Sequence, residues 1–302
     1  MSADHGKRLY RVVHTTAYDY DAPVTNSYGR GCLRPRPQSS QTLLEHTITI
    51  DPQPQVMDET RDLFGNYTHY LEIHTDHERL EVVKESVLQV EWPEVDLVEL
   101  DQQTVGVAAA RLRHDGSLDP VEHALYTLPS AHVQLSDEVR RFAEAAVPAD
   151  RPLGEAIASL HHQIYSDFAY TKGATTVNST LPELLESRAG VCQDFAHLAV
   201  ACFRAAGLPA RYVSGYIETT PPPGTTKLAG SDATHAWVSV FTPAGWVDLD
   251  PTNDHLADSR YIVTAWGRDF RDVSPLRGVI FTEATRSSLT VGVEVTRLDT
   301  ER

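Results

Sequence analysis

The sequence predicts an α+β fold: an N-terminal antiparallel β-sandwich-like domain, then a domain of helices packed on an antiparallel sheet. Residues 8–100 are rich in β-branched and aromatic side chains, and turn-forming residues interrupt them. The pattern changes near residue 118 to helical spacing, and alternating strands return near 235–250. We therefore expect a β-rich domain over residues 1–125 and a second domain over residues 126–302.

Four segments of the first part have the composition of strands. They are residues 10–20, 42–51, 67–75 and 80–92. Short strands separated by turns at this spacing are typical of an antiparallel sandwich or a small barrel. No nucleophile, base and acid occur together in this stretch, so we interpret it as an accessory domain.

Four helices and a late group of strands are predicted after residue 130. Ser136 is a suitable N-cap for a helix that ends before Pro148, and further helices follow over 153–168 and 181–188. A longer helix follows Gly190. The later strands are HAWVSVF, GWVDLD and SLTVGVEVTRL.

Composition and charge exclude several classes of protein. The chain has 302 residues, 26 Lys and Arg against 42 Asp and Glu, and a formal charge of −16. Such a surface repels phosphate backbones and anionic lipids, so nucleic acid and membrane are not expected partners. The N-terminal residues lack the apolar stretch of a signal peptide, and three cysteines form no disulfide framework. These features predict a cytoplasmic protein.

Cys192 is predicted to lie in the first turn of a helix. Phe195, Leu198, Ala199 and Cys202 recur at helical spacing and indicate a buried face. Unpaired N–H groups and the positive end of the helix dipole favour a thiolate over a thiol at such a position. A small buried residue is the structural alternative for Cys192, and we interpret Cys202 as core. Cys32, in the β-rich part, is likewise expected to be structural.

His235 and Asp250 are predicted to lie on one face of a hairpin. Residues 235–241 and 246–250 alternate, and a loop of two or four residues puts His235 and Asp250 on the same face. A four-residue loop places Phe241 opposite Trp246 and Asp250 diagonal to His235. A three-residue loop would separate the two side chains. Asp248, on the same face, is the competing partner, and a structural histidine is the alternative interpretation. This geometry suits a base and the carboxylate that orients it.

A metal site is the competing interpretation of the same region. Asp194 and His197 are spaced i, i+3 and could share a metal with His235. A thiolate beside a base explains the same residues more simply. Nucleotide-binding loops and a serine-hydrolase elbow are absent from the sequence.

Three blocks in this order resemble the transglutaminase-like superfamily, which has a papain-like cysteine core. They are GVCQDFAHLAVACFRAAGLPARYVSGY, HAWVSVF and GWVDLDPTND, while VHTTAYDYDAPV and DLFGN resemble the bacterial transglutaminase-like N-terminal domain. The resemblance implies Cys192 as nucleophile, His235 as general base and acid, and Asp250 as orienter. It also implies an amide-bearing protein or peptide substrate, no metal and no organic cofactor.

Five further residues are candidates for oxyanion or substrate contacts. They are Tyr170, Gln193, Asp194, Tyr216 and Trp237. In some members of the superfamily an upstream aromatic side chain helps to bind the oxyanion, and Tyr170 is the candidate here.

The predicted function is a cysteine-dependent hydrolase or acyltransferase with a thioester intermediate. The superfamily includes transglutaminases, peptidases, amidases and inactive relatives, so the alternative is an inactive binding or assembly module. Residues 217–234, rich in Pro, Gly and Thr, are expected to form a flap over the cleft. The sequence leaves the oligomeric state open, including a homo-oligomer.

Overall fold

A computed structural model gives the structure of the protein and describes residues 5–176, 179–219 and 234–298. The helices are α1 Leu97–Leu100, α2 Val105–Leu112, α3 Pro120–Thr127, α4 Asp137–Ala146, α5 Leu153–Asp167, α6 Leu181–Ser187, α7 Cys192–Ala205 and α8 Phe270–Val273. The strands are β1 Arg8–Gly31, β2 Gln41–Asp51, β3 Val56–Arg61, β4 Tyr67–Ile73, β5 His77–Val90, β6 Ala169–Tyr170, β7 Ala189–Gly190, β8 Ala210–Ile217, β9 Thr234–Thr242, β10 Gly245–Asp250, β11 His255–Leu256, β12 Tyr261–Gly267, β13 Arg277–Thr282 and β14 Ser287–Leu298. The predicted α+β class is confirmed.

The N-terminal sheet is antiparallel and is built around β1, a strand of 24 residues. The first half of β1 pairs with β5 and β14, and its second half pairs with β4 and β13. The register of β1 shifts between Asp19 and Val24, where Pro23 has no N–H to donate to a ladder. The sheet therefore curls along one strand, which the sequence predicted to be shorter.

The last two strands return to the N-terminal sheet. Residues 287–298 form a strand, as predicted, but β14 pairs with β1 and not with the second sheet. Alternation in the sequence identifies the buried positions, Val293 and Val295, without identifying the strand that pairs with them. The boundary near residue 125 stays a prediction, and the strands between Arg277 and Leu298 belong to the first sheet.

The second sheet has the strand order β11-β10-β9-β8-β12 and is covered by the helices. Helices α4, α5, α6 and α7 lie where the sequence predicts them, and Ser136 caps α4 as expected. Helix α7 packs between β8 and β9 on one side and α4, α5 and α6 on the other. Its residues 194–204 are buried all round rather than on one face, because it is the central helix.

The two sheets pack against each other through a shared apolar core. Tyr10 and Leu88 of the first sheet meet Val213, Trp237 and Ile262 of the second. The face of the second sheet that carries Trp237 is thus held against a large antiparallel sheet. In the described ranges, none of the helices has the length and apolar character needed to span a membrane.

Candidate active site

Cys192 is the first residue of α7, as the sequence predicts. Val191 at the N-cap has no side-chain acceptor, unlike Ser136 at α4 and Thr180 at α6. No side chain in the described part of the chain therefore caps the first turn, and its N–H groups point to where an anion would bind. Asp194 instead accepts a 2.8 Å hydrogen bond from the Val191 N–H, upstream of the helix.

The environment of Cys192 differs from that of the other two cysteines. Cys192 is partly exposed, whereas Cys32 and Cys202 are buried. Burial raises the pKa of the Cys32 thiol to about 11 and raises that of Cys202 still further. Alkylating reagents in water therefore have access to Cys192 and little access to the other two.

His235 lies on β9 and faces the carboxylate at the end of β10. The β9–β10 register puts Phe241 opposite Trp246, as predicted, because the loop between Thr242 and Gly245 has two residues. His235 Nε2 lies 2.6 Å from Asp250 Oδ2. An even number of loop residues places both side chains on the same face of the hairpin.

His235 also lies near the thiol. The Cys192 side chain lies close enough to the imidazole to raise its pKa. Burial by itself lowers the pKa of His235, but Asp250 and then Cys192 outweigh burial and raise the pKa to about 10. The protonated imidazole is favoured at neutral pH, which suits a thiolate–imidazolium pair.

Asp248, the competing partner, makes other contacts. Its two carboxylate oxygens accept 2.9 Å hydrogen bonds from Trp237 Nε1 and Ser239 Oγ. Burial raises the pKa of this carboxyl group. The geometry therefore brings Asp250 and not Asp248 to His235, while the catalytic roles of these residues stay predictions.

Two residues beside Asp250 did not emerge as site residues from the sequence. Asp250 Oδ2 accepts hydrogen bonds from Asn253 Nδ2 at 2.6 Å and from the Tyr261 hydroxyl at 2.9 Å. Asn253 follows in the turn after Pro251, where local side-chain hydrogen bonds are common, so the DPTND segment offered a signal. Tyr261 lies on another strand, and no local pattern indicated it.

Tyr170 lies beside the start of α7. Strand β6 pairs with β7, which puts Tyr170 next to Gly190, two residues before the cysteine. Burial and the nearby Cys192 raise the pKa of the Tyr170 phenol, although the side chain is 51% exposed. A neutral phenol near the thiol can donate a hydrogen bond, as an oxyanion contact requires.

The other candidate contacts are divided between the site and the core. Gln193 is half-buried in the first turn of α7. Trp237 is buried and stacks on His235 with ring centroids 6.2 Å apart, so it supports the imidazole from behind. Tyr216 donates or accepts a 2.9 Å hydrogen bond with His14 Nδ1, which places it between the two sheets and not at Cys192.

The alternative metal site is not assembled. The Asp194 carboxylate bonds Thr175 Oγ1 at 2.6 Å, and His197 Nε2 accepts the Phe270 N–H at 3.1 Å. Across residues 5–176, 179–219 and 234–298, His, Cys, Asp and Glu form no group of three suited to hold a metal ion. Most of the predicted flap, residues 220–233, lies outside the described residues.

Comparison with protein families gives two matches. Residues 10–89 match the bacterial transglutaminase-like N-terminal region, and residues 140–251 match the transglutaminase-like superfamily. The first match spans β1 to β5, and the second spans the segment from α4 to β10.

Three similar proteins illustrate the range of relatives. An uncharacterized protein of Mycobacterium tuberculosis is 43% identical over 307 residues, covering 98% of this chain and 97% of its own. A protein-glutamine gamma-glutamyltransferase of Pseudomonas aeruginosa is 35% identical over 122 residues, covering 39% of this chain and 17% of its own. A crystal structure of a "putative cysteine protease" from Cytophaga hutchinsonii has a TM-score of 0.78 at 19% identity, covering 98% and 93% of the two chains. That last likeness shows a shared fold.

Proposed function

We propose that this chain, which belongs to the transglutaminase-like superfamily, is a cysteine-dependent hydrolase or acyltransferase that acts on amide or peptide bonds. One observation carries the proposal: the buried His235 imidazole lies 2.6 Å from the Asp250 carboxylate and near enough to the Cys192 thiol for the thiol to raise its pKa. A nucleophile, a base and an orienting group in this order are what amide cleavage through a covalent intermediate needs.

The first half of the reaction forms a thioester. The Cys192 thiolate attacks the amide carbon, and the carbonyl electrons move to the oxygen. As the tetrahedral intermediate collapses, the C–N bond breaks and the His235 imidazolium gives its proton to the leaving amine. Asp250 holds Nε2 of His235, so Nδ1 is the nitrogen left for this transfer.

The oxyanion has two candidate donors. The N–H of Cys192 lies at a helix start with no side-chain cap, and Tyr170 lies alongside. Preorganised donors of this kind cost no reorganisation at the moment of reaction. Removing one such donor typically lowers the turnover rate by about 10²- to 10³-fold.

The group that accepts the acyl moiety from the thioester determines whether the reaction is hydrolysis or acyl transfer. Neutral His235 takes a proton from water or from a primary amine, which attacks the thioester and releases Cys192. The 35% identity to a protein-glutamine gamma-glutamyltransferase over 122 residues favours a glutamine side chain as one substrate to test. We propose a protein or peptide substrate and, on the three free thiols, a cytoplasmic location.

One experiment separates hydrolysis, transfer and inactivity. Cell extract is incubated with the protein or with its Cys192→Ala variant, in the presence of a biotin-labelled primary amine, and analysed by mass spectrometry. New peptide ends or deamidated glutamines indicate hydrolysis, and biotin-labelled glutamines indicate transfer. Identical peptide patterns with the protein and the variant would contradict the proposal and favour an inactive binding module.

A further inference from the structure

A cavity of about 340 Å³ lies where the C-terminal end of β1 meets the segment from Arg268 to Arg277. Arg30, Arg268, Arg271 and Arg277 all line it. Its volume falls in the range of small-molecule sites. Four arginines around one cavity are unexpected in a chain whose formal charge is −16.

The charges in this arginine-lined cavity do not balance. Arg268 forms a two-point ion pair with Asp272, at 2.9 Å and 3.0 Å, so these two groups neutralise each other. Asp62 is the other acid in the lining, and its carboxylate accepts hydrogen bonds from the N–H groups of Phe64 and Asn66. Three arginines against Asp62 leave a net charge of about +2 at neutral pH.

Among the residues that the structure describes, no acidic side chain pairs with the three remaining guanidinium groups. Across residues 5–176, 179–219 and 234–298, Arg30, Arg271 and Arg277 form no salt bridge. Arg30 and Arg277 also lie directly opposite each other in the β1–β13 ladder. Like charges at such positions repel and destabilise a strand pair. An anion between them would remove this repulsion.

The wall of the cavity is held by close backbone packing. A Cβ added at Gly31 would lie 2.0 Å from the Pro275 carbonyl oxygen, so a larger residue than glycine cannot bring β1 this near to Pro275. The Cys32 N–H bonds the Ser274 carbonyl at 3.1 Å. Phe64 adds an aromatic surface to the lining. The wall between Arg30 and Arg277 is therefore closely packed backbone.

We propose that this cavity is a binding site for a small molecule that carries a phosphoryl group. Guanidinium forks match phosphate oxygens with paired N–H bonds, and a dianion balances the net charge of the lining. The Phe64 ring provides a surface for the organic part of a phosphate ester. Inorganic phosphate shares the same charged group, so the test includes both sources.

The test is calorimetric titration of the full chain with sodium phosphate and with phenyl phosphate at low salt. We expect saturable binding with one site, and weaker binding as sodium chloride is added. Tighter binding of phenyl phosphate indicates a phosphate ester, and equal binding of the two probes indicates free phosphate. No saturable binding of either probe would overturn the proposal.

Two variants distinguish a specific phosphate site from non-specific electrostatic attraction of the anion. Arg277→Gln should weaken binding about tenfold or more, because one charged hydrogen-bond donor is lost. Its melting temperature without anion should not fall, since the repulsion with Arg30 is removed. Arg297→Gln is the matched control, because Arg297 lies on β14 of the same sheet and outside the lining. Equal weakening in both variants would overturn the proposal.

Cys192→Ala should bind phosphate as the unaltered chain does. This outcome would show that phosphate binding and the proposed catalysis are independent, since Arg277→Gln weakens the first and Cys192→Ala abolishes the second. Loss of phosphate binding in Cys192→Ala would contradict the placement of the anion at Arg30 and Arg277.

Discussion

His235 Nε2 and Asp250 Oδ2 lie 2.6 Å apart, and this carboxylate oxygen, which is fully buried, also accepts hydrogen bonds from Asn253 and Tyr261. Burial raises the pKa of Asp250, but His235, Asn253 and the Thr252 N–H together outweigh burial and lower it. A carboxylate held ionised in this way keeps the imidazole ring in one orientation. It also stabilises the imidazolium form.

Replacing the two acids of β10 should have unequal effects. Asp250→Asn removes the charge that holds His235, and we expect activity to fall by up to about 10⁴-fold, as in a serine-protease triad. Asp248→Asn should act mainly on stability, because Asp248 bonds Trp237 and Ser239. The measurement is kcat with thermal unfolding of both variants. An activity loss for Asp250→Asn no greater than that for Asp248→Asn would contradict the choice of orienter.

Cys192 should be alkylated faster than an ordinary thiol at neutral pH. Because the pKa of His235 is raised to about 10, the imidazolium accompanies the sulfur at pH 7. We expect iodoacetamide to react faster with Cys192 at pH 7 than with an ordinary thiol, because a helix start and a neighbouring imidazolium favour the thiolate. Mass spectrometry of labelled peptides measures the rate at each cysteine. A rate at pH 7 no faster than that of an unperturbed thiol would contradict activation by His235.

The same imidazole should make stability depend on pH. Its folded pKa of about 10 lies above the ordinary value of 6.5, so its stabilising contribution is complete below about pH 6.5 and is lost as pH rises toward 10. We expect Asp250→Asn to flatten this alkaline decline, because Asp250 is the main group that raises the pKa. The test is the free energy of unfolding of the protein and of the variant, measured with urea at pH 6, 8 and 10. If stability fell as steeply between pH 6 and pH 10 in the variant, groups other than the His235–Asp250 pair would cause the alkaline decline.

Tyr170→Phe tests the proposed oxyanion contact. If the phenol donates a hydrogen bond only in the transition state, kcat should fall by about 10²-fold while KM changes little. Tyr165→Phe is a suitable control, since Tyr165 is similarly exposed, at 52% against 51%, but lies on α5. Equal kinetics for both variants would remove Tyr170 from the mechanism.

Gly215, opposite His235 in the β8–β9 ladder, should not tolerate a side chain. A Cβ there would lie 2.0 Å from the Ile262 carbonyl oxygen and 2.8 Å from the Trp237 ring. We expect Gly215→Ala to lower the free energy of unfolding by about 1–3 kcal/mol and to disturb the stack behind His235. Gly292→Ala is the control, because nothing lies within 4 Å of its added Cβ. Equal stability of the two variants would contradict this account of the packing.

Local patterns in the sequence were sufficient to predict much of the secondary structure and of the candidate site. Helical spacing of apolar residues after Gly190 located α7 and its first residue, Cys192, and strand alternation predicted the register that sets Phe241 opposite Trp246. These features depend on neighbours within a few residues along the chain. The three motif blocks also indicated the superfamily, because their order and residue types are specific.

Contacts between distant segments were decided only by the tertiary structure. Tyr261 reaches Asp250 from another strand, Tyr216 turns toward His14, and β14 returns to pair with β1. Alternation specifies which side chains are buried but not which partner buries them, and no signal in the sequence near Arg30 indicated Arg277 as its neighbour. The physical reason is that pairing across hundreds of residues depends on packing of the whole chain, while helix starts and hairpin registers depend on local geometry.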